Sequence, residues 1–271
     1  MFITRRHSPY ADARRAAKLE PTKEALSMTM SAASTLLSGL RTSQATSPAL
    51  IWYGPAGERI ELSGKVLDNW VAKTSNFLVD ELDAEPGRLV RLDLPIHWKT
   101  LVWALAAWQT GCTVNLGSPA EGGPVDITVT DAADSGAEGT VVAVALGALE
   151  LAFPSELPAG VVDYAAEVRS YADTFMEGPR PDDGQPALEV GSPTAARKLN
   201  GTVSYGSLGT LFSASDGSAE VLLASAPDLP LVLEAAVATW ASGGAVVLTA
   251  AGVEPDERVL ASEKVTKRLE A

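Results

Sequence analysis

The chain has 271 residues and a formal net charge of −13 at pH 7. A surface this acidic repels phosphate backbones and anionic lipids, which argues against nucleic-acid partners and peripheral membrane binding. Hydrophobic residues make up 46% and charged residues 20% of the chain. These are ordinary globular values, so we expect folded structure over most of the length.

Residues 1–30 are basic, with six Lys/Arg against three Asp/Glu, and they carry little apolar periodicity. One interpretation is an Arg/Ser/Ala-rich targeting arm. We prefer an upstream start codon, because the domain pattern begins at Ser31, directly after Met28 and Met30. Met1, Met28 and Met30 stay open as alternative starts, and we expect residues 1–30 to be disordered or loosely attached.

Residues 32–82 predict three elements in succession. An amphipathic helix is predicted over residues 32–44, and residues 50–62 predict a hairpin around a Gly/Pro turn. Ser63 is a good N-cap for a helix over residues 64–81, whose apolar side chains form one stripe.

Residues 88–116 predict a strand, a helix and a second strand. An apolar run ends at Pro95, which cannot donate to a strand ladder, and the helix that follows runs to about Gln109. Its apolar residues recur at the i, i+1, i+4, i+7 spacing of one helical face, and Gly111 supplies a left-handed C-terminal stop. We expect one β-α-β unit here.

Residues 220–248 repeat this pattern without a gap. The equivalent positions are Pro95 and Pro227, Trp108 and Trp240, Gly111 and Gly243, Val114 and Val246, and Leu116 and Leu248. A strand, crossover helix and strand in one sheet imply parallel pairing with a right-handed connection. The sequence therefore predicts an α/β fold of two pseudo-repeated β-α-β subdomains with mainly parallel sheets.

The remaining segments predict shorter elements: strands at 126–130 and 140–146, a helix at 161–175, a strand at 187–190, a weak helix at 202–215 and a charged, partly helical terminus at 254–271. Gly, Pro and Asp dominate residues 177–186, the best candidate for a linker. We expect a domain over 31–252, with subdomains at about 31–176 and 187–252, and a charged C-terminal tail over 253–271.

The order of the elements over residues 47–90, SPALIWYGPAGERIELSGKVLDNWVAKTSNFLVDELDAEPGRLV, and over the first repeat resembles the N-terminal region of the adenylate-forming superfamily. That superfamily includes acyl-CoA synthetases, luciferases and the adenylation domains of peptide synthetases. The resemblance covers about Ser31 to Gly252 and is closest to a family of short actinobacterial proteins derived from this region. It implies a truncated adenylate-forming N-terminal domain.

The superfamily binds ATP phosphates in a Ser/Thr/Gly-rich loop ending in Lys-Gly, placed after a strand and before a helix. The resemblance places this loop at residues 190–205, VGSPTAARKLNGTVSY. The candidate remnants of a phosphate site are Gly191, Ser192, Thr194, Arg197 and Lys198. Pro193 removes a donor and the Gly-Thr-Thr-Gly run is missing, so the plainer interpretation is a solvated turn.

The resemblance also places the later nucleotide motifs, and a mobile C-terminal domain with a catalytic lysine, beyond the last residue of this chain. Adenylation needs such a cation to stabilise the charge that moves between carboxylate and α-phosphate. We therefore predict no catalytic residues, no resident cofactor, and no ATP or AMP binding tighter than about 1 mM, equivalent to about −4 kcal/mol.

Other constellations do not predict a site. His7, His97 and Cys112 lack the spacing of metal ligands, so we predict no metal. A general base at His97 would need partners such as a Gly-x-Ser-x-Gly elbow, which the sequence lacks, and we favour a helix-start histidine packed beside Trp98. A single cysteine excludes an internal disulfide and favours a small core residue in a reducing cytoplasm.

Two functional hypotheses follow from the preserved scaffold and the eroded loop. The first is a non-catalytic binding or partner-docking module, and the alternative is part of an acyl-adenylating ligase completed by another chain. A third, structural hypothesis is that the acidic domain assembles with itself as a homo-oligomer.

Overall fold

The computed structural model describes residues 31–117, 124–132, 136–148, 150–178, 180–191, 200–212, 219–225 and 227–269. The helices are α1 (Ala32–Ser43), α2 (Gly64–Leu82), α3 (Trp98–Gln109), α4 (Tyr164–Glu167), α5 (Tyr205–Leu211), α6 (Leu229–Ala241) and α7 (Glu257–Ser262). The strands are β1 (Pro48–Tyr53), β2 (Arg59–Ser63), β3 (Leu89–Asp93), β4 (Thr113–Asn115), β5 (Ile127–Thr130), β6 (Thr140–Ala143), β7 (Val162–Asp163), β8 (Pro186–Val190), β9 (Gly201–Ser204), β10 (Val221–Ala224), β11 (Ala245–Thr249) and β12 (Lys267–Arg268).

The described strands form two sheets. Sheet A has the order β12-β10-β11-β1-β2, and sheet B has the order β7-β6-β5-β3-β4-β8-β9. Each β-α-β repeat pairs in parallel as predicted, β3 with β4 and β10 with β11. Antiparallel pairing occurs in the hairpins β1-β2 and β8-β9. The predicted mixed α/β fold with mainly parallel sheets is confirmed.

The local signals for helix ends act as the sequence predicts. The Ser63 side chain accepts a hydrogen bond from the third residue of α2 and caps that helix. Gly111, directly after the last turn of α3, adopts a left-handed φ of 84°, and Gly243 adopts 76° after α6. The two repeats therefore end their helices by the same device.

The hairpins are exchanged between the two halves of the chain. β1 and β2 precede the first β-α-β unit, yet they extend sheet A, where Leu50 pairs with Val246 of the second unit. β8 and β9 precede the second unit, yet they extend sheet B, where Leu188 pairs with Val114 of the first unit. The division at 177–186 stays a prediction, and each sheet takes strands from both sides of it.

The pseudo-repeat extends to these hairpins. Pro48 and Pro186 each begin a Pro-Ala-Leu strand, and they pair with Ser63 and Ser204 at the far ends of the partner strands. Both serines then cap the next helix, α2 and α5. The equivalent strands of the sheets are therefore β10, β11, β1 and β2 in sheet A, and β3, β4, β8 and β9 in sheet B.

The tryptophans of the repeat tie each crossover helix to its exchanged hairpin. The indole N–H of Trp108 on α3 donates to the carbonyl of Ala187 in β8, at 2.8 Å. The indole N–H of Trp240 on α6 donates to the carbonyl of the equivalent Ala49 in β1, also at 2.8 Å. Both tryptophans are buried in the core.

One layer of helices lies between the two sheets. α2 packs on β1, β2 and α3, while α3 packs on β3 and β4. α6 packs on β10 and β11, and α5 packs on β8 and β9. The inner faces of both sheets and these helices share one apolar core. Helix α7 covers the outer face of sheet A, where Leu260 packs on Ile51, Leu223 and Val247.

The predicted helix over residues 161–175 is present only as α4 and the 3-10 turn that continues it over Val168–Ser170, and it is wrong beyond that turn. Side chains of α2 take the carbonyls that a longer helix would bond internally. The ammonium of Lys73 binds the carbonyl of Tyr171, and the amide of Asn76 binds the carbonyl of Ala172 at 3.1 Å. Residues 171–174 are therefore held against α2 in a non-helical conformation.

The predicted helix over residues 202–215 begins later than expected. Its first residues form β9, where Thr202 pairs with Glu189 of β8, and α5 starts only after Ser204. Residues 213–215 lie outside the described residues. In the predicted C-terminal tail, α7 is followed by β12, which adds to the edge of sheet A beside β10. In the part of the chain described, the helices are too short or too polar to cross a membrane.

Candidate functional site

The carboxyl ends of β1 in sheet A and of β3 and β6 in sheet B lie on the same side of the molecule. The ring of His97, which follows β3, lies 4.5 Å from the ring of Trp52 in β1. The carboxylate of Glu58, in the turn after β1, accepts from the backbone N–H of Ala148, which follows β6. Open α/β sheets bind ligands outside the carboxyl ends of their strands, so this side is the candidate site.

Lys99 lies at the first turn of α3 and is 5% exposed. Its ammonium donates to the carbonyl of Ala145 and, at 3.1 Å, to the carbonyl of Gly147, both in the segment after β6. Burial lowers the pKa of Lys99 to about 8, while the charges of Glu150 and Glu58 oppose that shift. The lysine fastens the segment 144–147 to α3.

His97 is the N-cap of α3, and its Nδ1 accepts from the backbone N–H of Lys99 at 3.1 Å. Burial lowers the pKa of His97 to about 3, with the charge of Lys99 as a further cause. Its ring lies 5.6 Å from that of Trp98. The histidine is neutral at physiological pH and starts the helix beside Trp98, as the sequence predicts.

Both oxygens of Glu58 have partners within the chain. Oε2 accepts from the indole N–H of Trp52 at 2.9 Å, and Oε1 accepts from the backbone N–H of Ala148 at 3.0 Å. We call Glu58, His97 and Lys99 the closed cluster. Its acidic and basic groups join the turn after β1, the start of α3 and the segment after β6, so they position backbone at the candidate site.

The predicted phosphate loop begins at the carboxyl end of β8. Gly191 follows that strand directly, and a Cβ built on Gly117, which follows β4, would lie 3.8 Å from the backbone nitrogen of Gly191. The chain then enters an antiparallel strand, β9, and not a helix as the resemblance implies. The other predicted residues, Ser192, Thr194, Arg197 and Lys198, lie outside the described residues, so the phosphate site stays a prediction.

The region between the two β-α-β units is filled by the shared core, and a cavity of about 180 Å³ lies at the opposite end of α3. Its polar groups pair with one another: Arg41 with Asp68 at 2.9 Å, and the Gln109 amide with the Ser34 hydroxyl at 3.0 Å. This cavity is separate from the candidate site.

The sulfur of Cys112 is buried at the entrance to β4, where it contacts the Thr110 hydroxyl at 3.3 Å. Burial raises the pKa of this thiol to about 11. The sequence prediction of a core cysteine agrees with both observations. Among the described residues, His, Cys, Asp and Glu side chains form no group of three that could hold a metal ion.

The sequence interpretation missed the residues that organise the site. Nothing local marks Lys99 as buried, because its partners lie 46 and 48 residues away. Glu58 lies in a turn, where a carboxylate is ordinarily solvated. Outside this site, Arg91 lies in the strand that the sequence predicts from an apolar run, although it alternates with Leu92 and precedes Asp93, a period-two signal for a polar face.

Three comparisons with known proteins bear on the fold, and no family model matches the chain. A TIGR03089 family protein of Mycobacterium tuberculosis is 37% identical over 139 residues, which cover 48% of this chain and 56% of that protein. This relative supports the predicted link to a family of short actinobacterial proteins.

Solved structures of adenylate-forming enzymes match most of this chain. An acyl-CoA synthetase of Brucella canis matches with a TM-score of 0.69 at 18% identity, over 89% of this chain and 47% of that one. The N-terminal subdomain of NpsA from Klebsiella oxytoca, in complex with 3-hydroxybenzoyl-AMSN, matches with a TM-score of 0.60 at 13% identity, over 89% of this chain and 60% of that one. The chain thus spans about half the length of the synthetase, and the predicted resemblance is confirmed.

Proposed function

We propose that this chain, which has the fold of the N-terminal part of adenylate-forming enzymes, is a non-catalytic binding or partner-docking module. The closed cluster carries the proposal. A catalytic acid, base or cation must reach the reacting atoms of a substrate. At the candidate site, Glu58, His97 and Lys99 direct their polar atoms to the backbone and side chains of the protein instead.

The sequence of the predicted phosphate loop supports the same conclusion. Pro193 removes a backbone donor, and the Gly-Thr-Thr-Gly run of the superfamily is missing. Each lost hydrogen bond to a charged group forfeits about 1.5 to 3 kcal/mol, so losing several moves affinity from micromolar to millimolar. We therefore expect ATP and AMP to bind no more tightly than about 1 mM.

Pyrophosphate exchange tests the proposal on the full chain. With ATP, magnesium and a panel of carboxylic acids, we expect no exchange above the rate without protein. Isothermal titration with ATP should give no saturable heat below millimolar concentrations. Exchange driven by any acid, or ATP affinity of tens of micromolar, would overturn the proposal.

A matched pair of variants assigns any nucleotide binding that appears. Arg197→Ala with Lys198→Ala removes the two basic residues of the predicted loop. Lys65→Ala with Arg258→Ala removes the same charge from exposed helical positions. Loss of binding in the first variant alone would place the nucleotide on the predicted loop.

The alternative function is part of an acyl-adenylating ligase completed by another chain. It is favoured by the NpsA match, since that N-terminal subdomain is in complex with 3-hydroxybenzoyl-AMSN. Titration of this compound into the protein tests the alternative directly. Micromolar affinity would favour the ligase, and co-purification from native cells as a monomer would count against a completing chain.

The location and partners of the protein are also proposals. We expect a cytoplasmic protein, because its single cysteine is a buried core residue. We expect a protein partner or a second copy of the chain in preference to nucleic acid or a membrane surface, because of the net charge of −13. Light scattering across micromolar concentrations distinguishes a homo-oligomer from a monomer.

A further inference from the structure

The outer faces of the two sheets differ at equivalent positions. In sheet A the outer row contains Leu223, Val247 and Ile51, which are apolar and pack against α7. The equivalent residues of sheet B are Arg91, Asn115 and Glu189, which pair across β3, β4 and β8. The row continues on either side to Thr128 in β5 and Thr202 in β9. We call these five residues of sheet B the polar row.

The neighbours of Arg91 in the polar row have partners of their own. The Asn115 amide donates to Glu189 at 2.9 Å, and its oxygen accepts from the backbone N–H of Gly117 at 3.0 Å. The Thr128 hydroxyl donates to the carbonyl of Glu138 at 2.8 Å. The side chains on both sides of Arg91 are therefore engaged elsewhere.

Arg91 is a buried residue of this row with polar atoms that are unpaired in the described part of the chain. It is 4% exposed, and neither its Nε nor its Nη2 has a hydrogen-bond partner among the described residues. Two buried N–H groups of a guanidinium without acceptors cost free energy, and a bound anion is one group that supplies the missing acceptors. Nε and Nη2 form the edge of guanidinium that binds two oxygens of one oxyanion in parallel.

We propose that the outer face of sheet B binds a small oxyanion, a carboxylate or a phosphate, through the Nε and Nη2 of Arg91. The oxyanion accepts both N–H bonds and neutralises the guanidinium. This site lies on the opposite face of sheet B from α3 and does not depend on the proposed function.

The surrounding charges select an anion of low charge. Asp93 is two residues beyond Arg91 on the same strand face, and Asp131 follows the neighbouring strand. Burial raises the pKa of Asp131, and the charge of Asp93 raises it further, so these carboxylates are close enough to interact. Their charge opposes a polyanion such as a nucleotide triphosphate. We expect acetate to bind at least as well as phosphate.

Thermal unfolding at pH 7 and constant ionic strength tests the site. With about 50 mM sodium acetate or sodium phosphate in place of sodium chloride, we expect Tm of the full chain to rise by about 3 °C. The Arg91→Met variant should show no rise. The control variant Arg88→Met removes an arginine whose side chain is 40% exposed and should keep the full rise.

An NMR titration covers the case in which Arg91→Met fails to fold. With arginine labelled by nitrogen-15, one buried Nε–H signal of the wild-type protein should shift as acetate or phosphate is added. The anion whose titration shifts this Nε–H signal, acetate or phosphate, shows whether the site binds a carboxylate or a phosphate. Two results would overturn the proposal: no change in Tm or in the Nε–H signal of the wild-type protein with either anion, or an equal rise in Tm for Arg91→Met.

Discussion

Asp68 and Arg41 form an ion pair of unequal burial. The Asp68 side chain is 4% exposed, whereas the Arg41 side chain is 47% exposed, and their closest atoms are 2.9 Å apart. Burial raises the pKa of Asp68, and the charge and hydrogen bond of Arg41 oppose that shift. The arginine is therefore the group that keeps a buried carboxylate charged.

Removing Arg41 should cost more than removing an exposed arginine. We expect Arg41→Met to lower the free energy of unfolding by about 2 kcal/mol, because Asp68 is left buried without its partner. Arg180→Met is the matched control, since Arg180 pairs at 2.6 Å with Asp183, whose side chain is 71% exposed. That change should cost less than about 1 kcal/mol. Equal losses in urea unfolding would show that burial of Asp68 does not matter.

His97 should make stability depend on pH. Its pKa is about 3 in the folded protein, against the ordinary value of 6.5 that applies to the unfolded chain, so the unfolded chain binds the extra proton between these values. The stabilisation is full above pH 6.5 and is lost as pH falls towards 3. Between pH 6.5 and 4.5 we expect the wild type to lose about 2 kcal/mol more than His97→Asn, which keeps an N-cap oxygen without titrating.

For each protein, the free energy of unfolding at pH 4.5 is compared with that of the same protein at pH 6.5. The packing that His97→Asn loses lowers both values equally and therefore does not affect the difference. Urea unfolding at both pH values gives the two losses. An equal loss in wild type and variant would mean that the histidine is protonated in the folded state.

The candidate site shows what single residues in a sequence can and cannot indicate. The position of His97 at a helix start was predictable. It follows Pro95, which ends the preceding strand, and it directly precedes the apolar pattern of α3. Lys99 was not predictable, because its burial depends on a segment 46 residues away. Arg91 was predictable in principle from its alternation with apolar neighbours in β3. A short strand interpreted as uniformly apolar hides that signal.

Three tryptophans on the crossover helices α3 and α6 are similarly buried but differ in the hydrogen bonding of their indole N–H groups. Trp108 and Trp240 each donate to a strand carbonyl at 2.8 Å, while the indole N–H of Trp103 has no partner among the described residues. Trp108→Phe and Trp240→Phe should each lower the free energy of unfolding by about 1 to 2 kcal/mol more than Trp103→Phe does, because each of the first two leaves a buried carbonyl without its donor.

Trp103→Phe is the matched control, because it removes the same ring volume from a fully buried site without breaking a hydrogen bond. Thermal or urea unfolding of the three variants measures the difference. Equal losses in all three would show that ring volume alone determines the cost.

At the scale of elements, the sequence predicts what is local and misses what is not. The β-α-β units, the Ser63 cap and the hairpin at β1-β2 follow from patterns within about 30 residues. The exchange of hairpins depends on pairing between distant strands, which periodicity does not encode. A signal was present, because Pro48 and Pro186 begin the same Pro-Ala-Leu triplet and precede the capping serines Ser63 and Ser204.

At the scale of the whole molecule, the exchanged hairpins predict that the halves are not independent. Fragments 1–178 and 179–271 each contain a β-α-β unit and a hairpin that belongs to the other sheet. We expect each fragment alone to lack cooperative unfolding, because its core face and a strand edge are exposed. Mixed in equal amounts, they should associate and recover the far-ultraviolet circular dichroism of the intact chain.

Cooperative thermal unfolding of either fragment by itself would contradict this expectation. A cut inside β5, for example after Thr128, is the control, because it divides a strand of sheet B and should prevent recovery. Size-exclusion chromatography of the mixtures separates association from independent folding.

The hydrogen bond between Trp240 and Ala49 spans 191 residues of sequence. During synthesis the fold is therefore complete only after Trp240 has left the ribosome. The first hairpin leaves the ribosome before its partner strand in sheet A, β11, which follows Trp240 in the sequence and is made only after that interval. At about 5 to 20 residues per second, the hairpin waits on the order of ten seconds or more with an open edge. Non-local pairing of this kind also slows folding. The nascent chain is therefore exposed to chaperones, proteases and neighbouring copies throughout this interval, whereas the finished protein conceals the same edge.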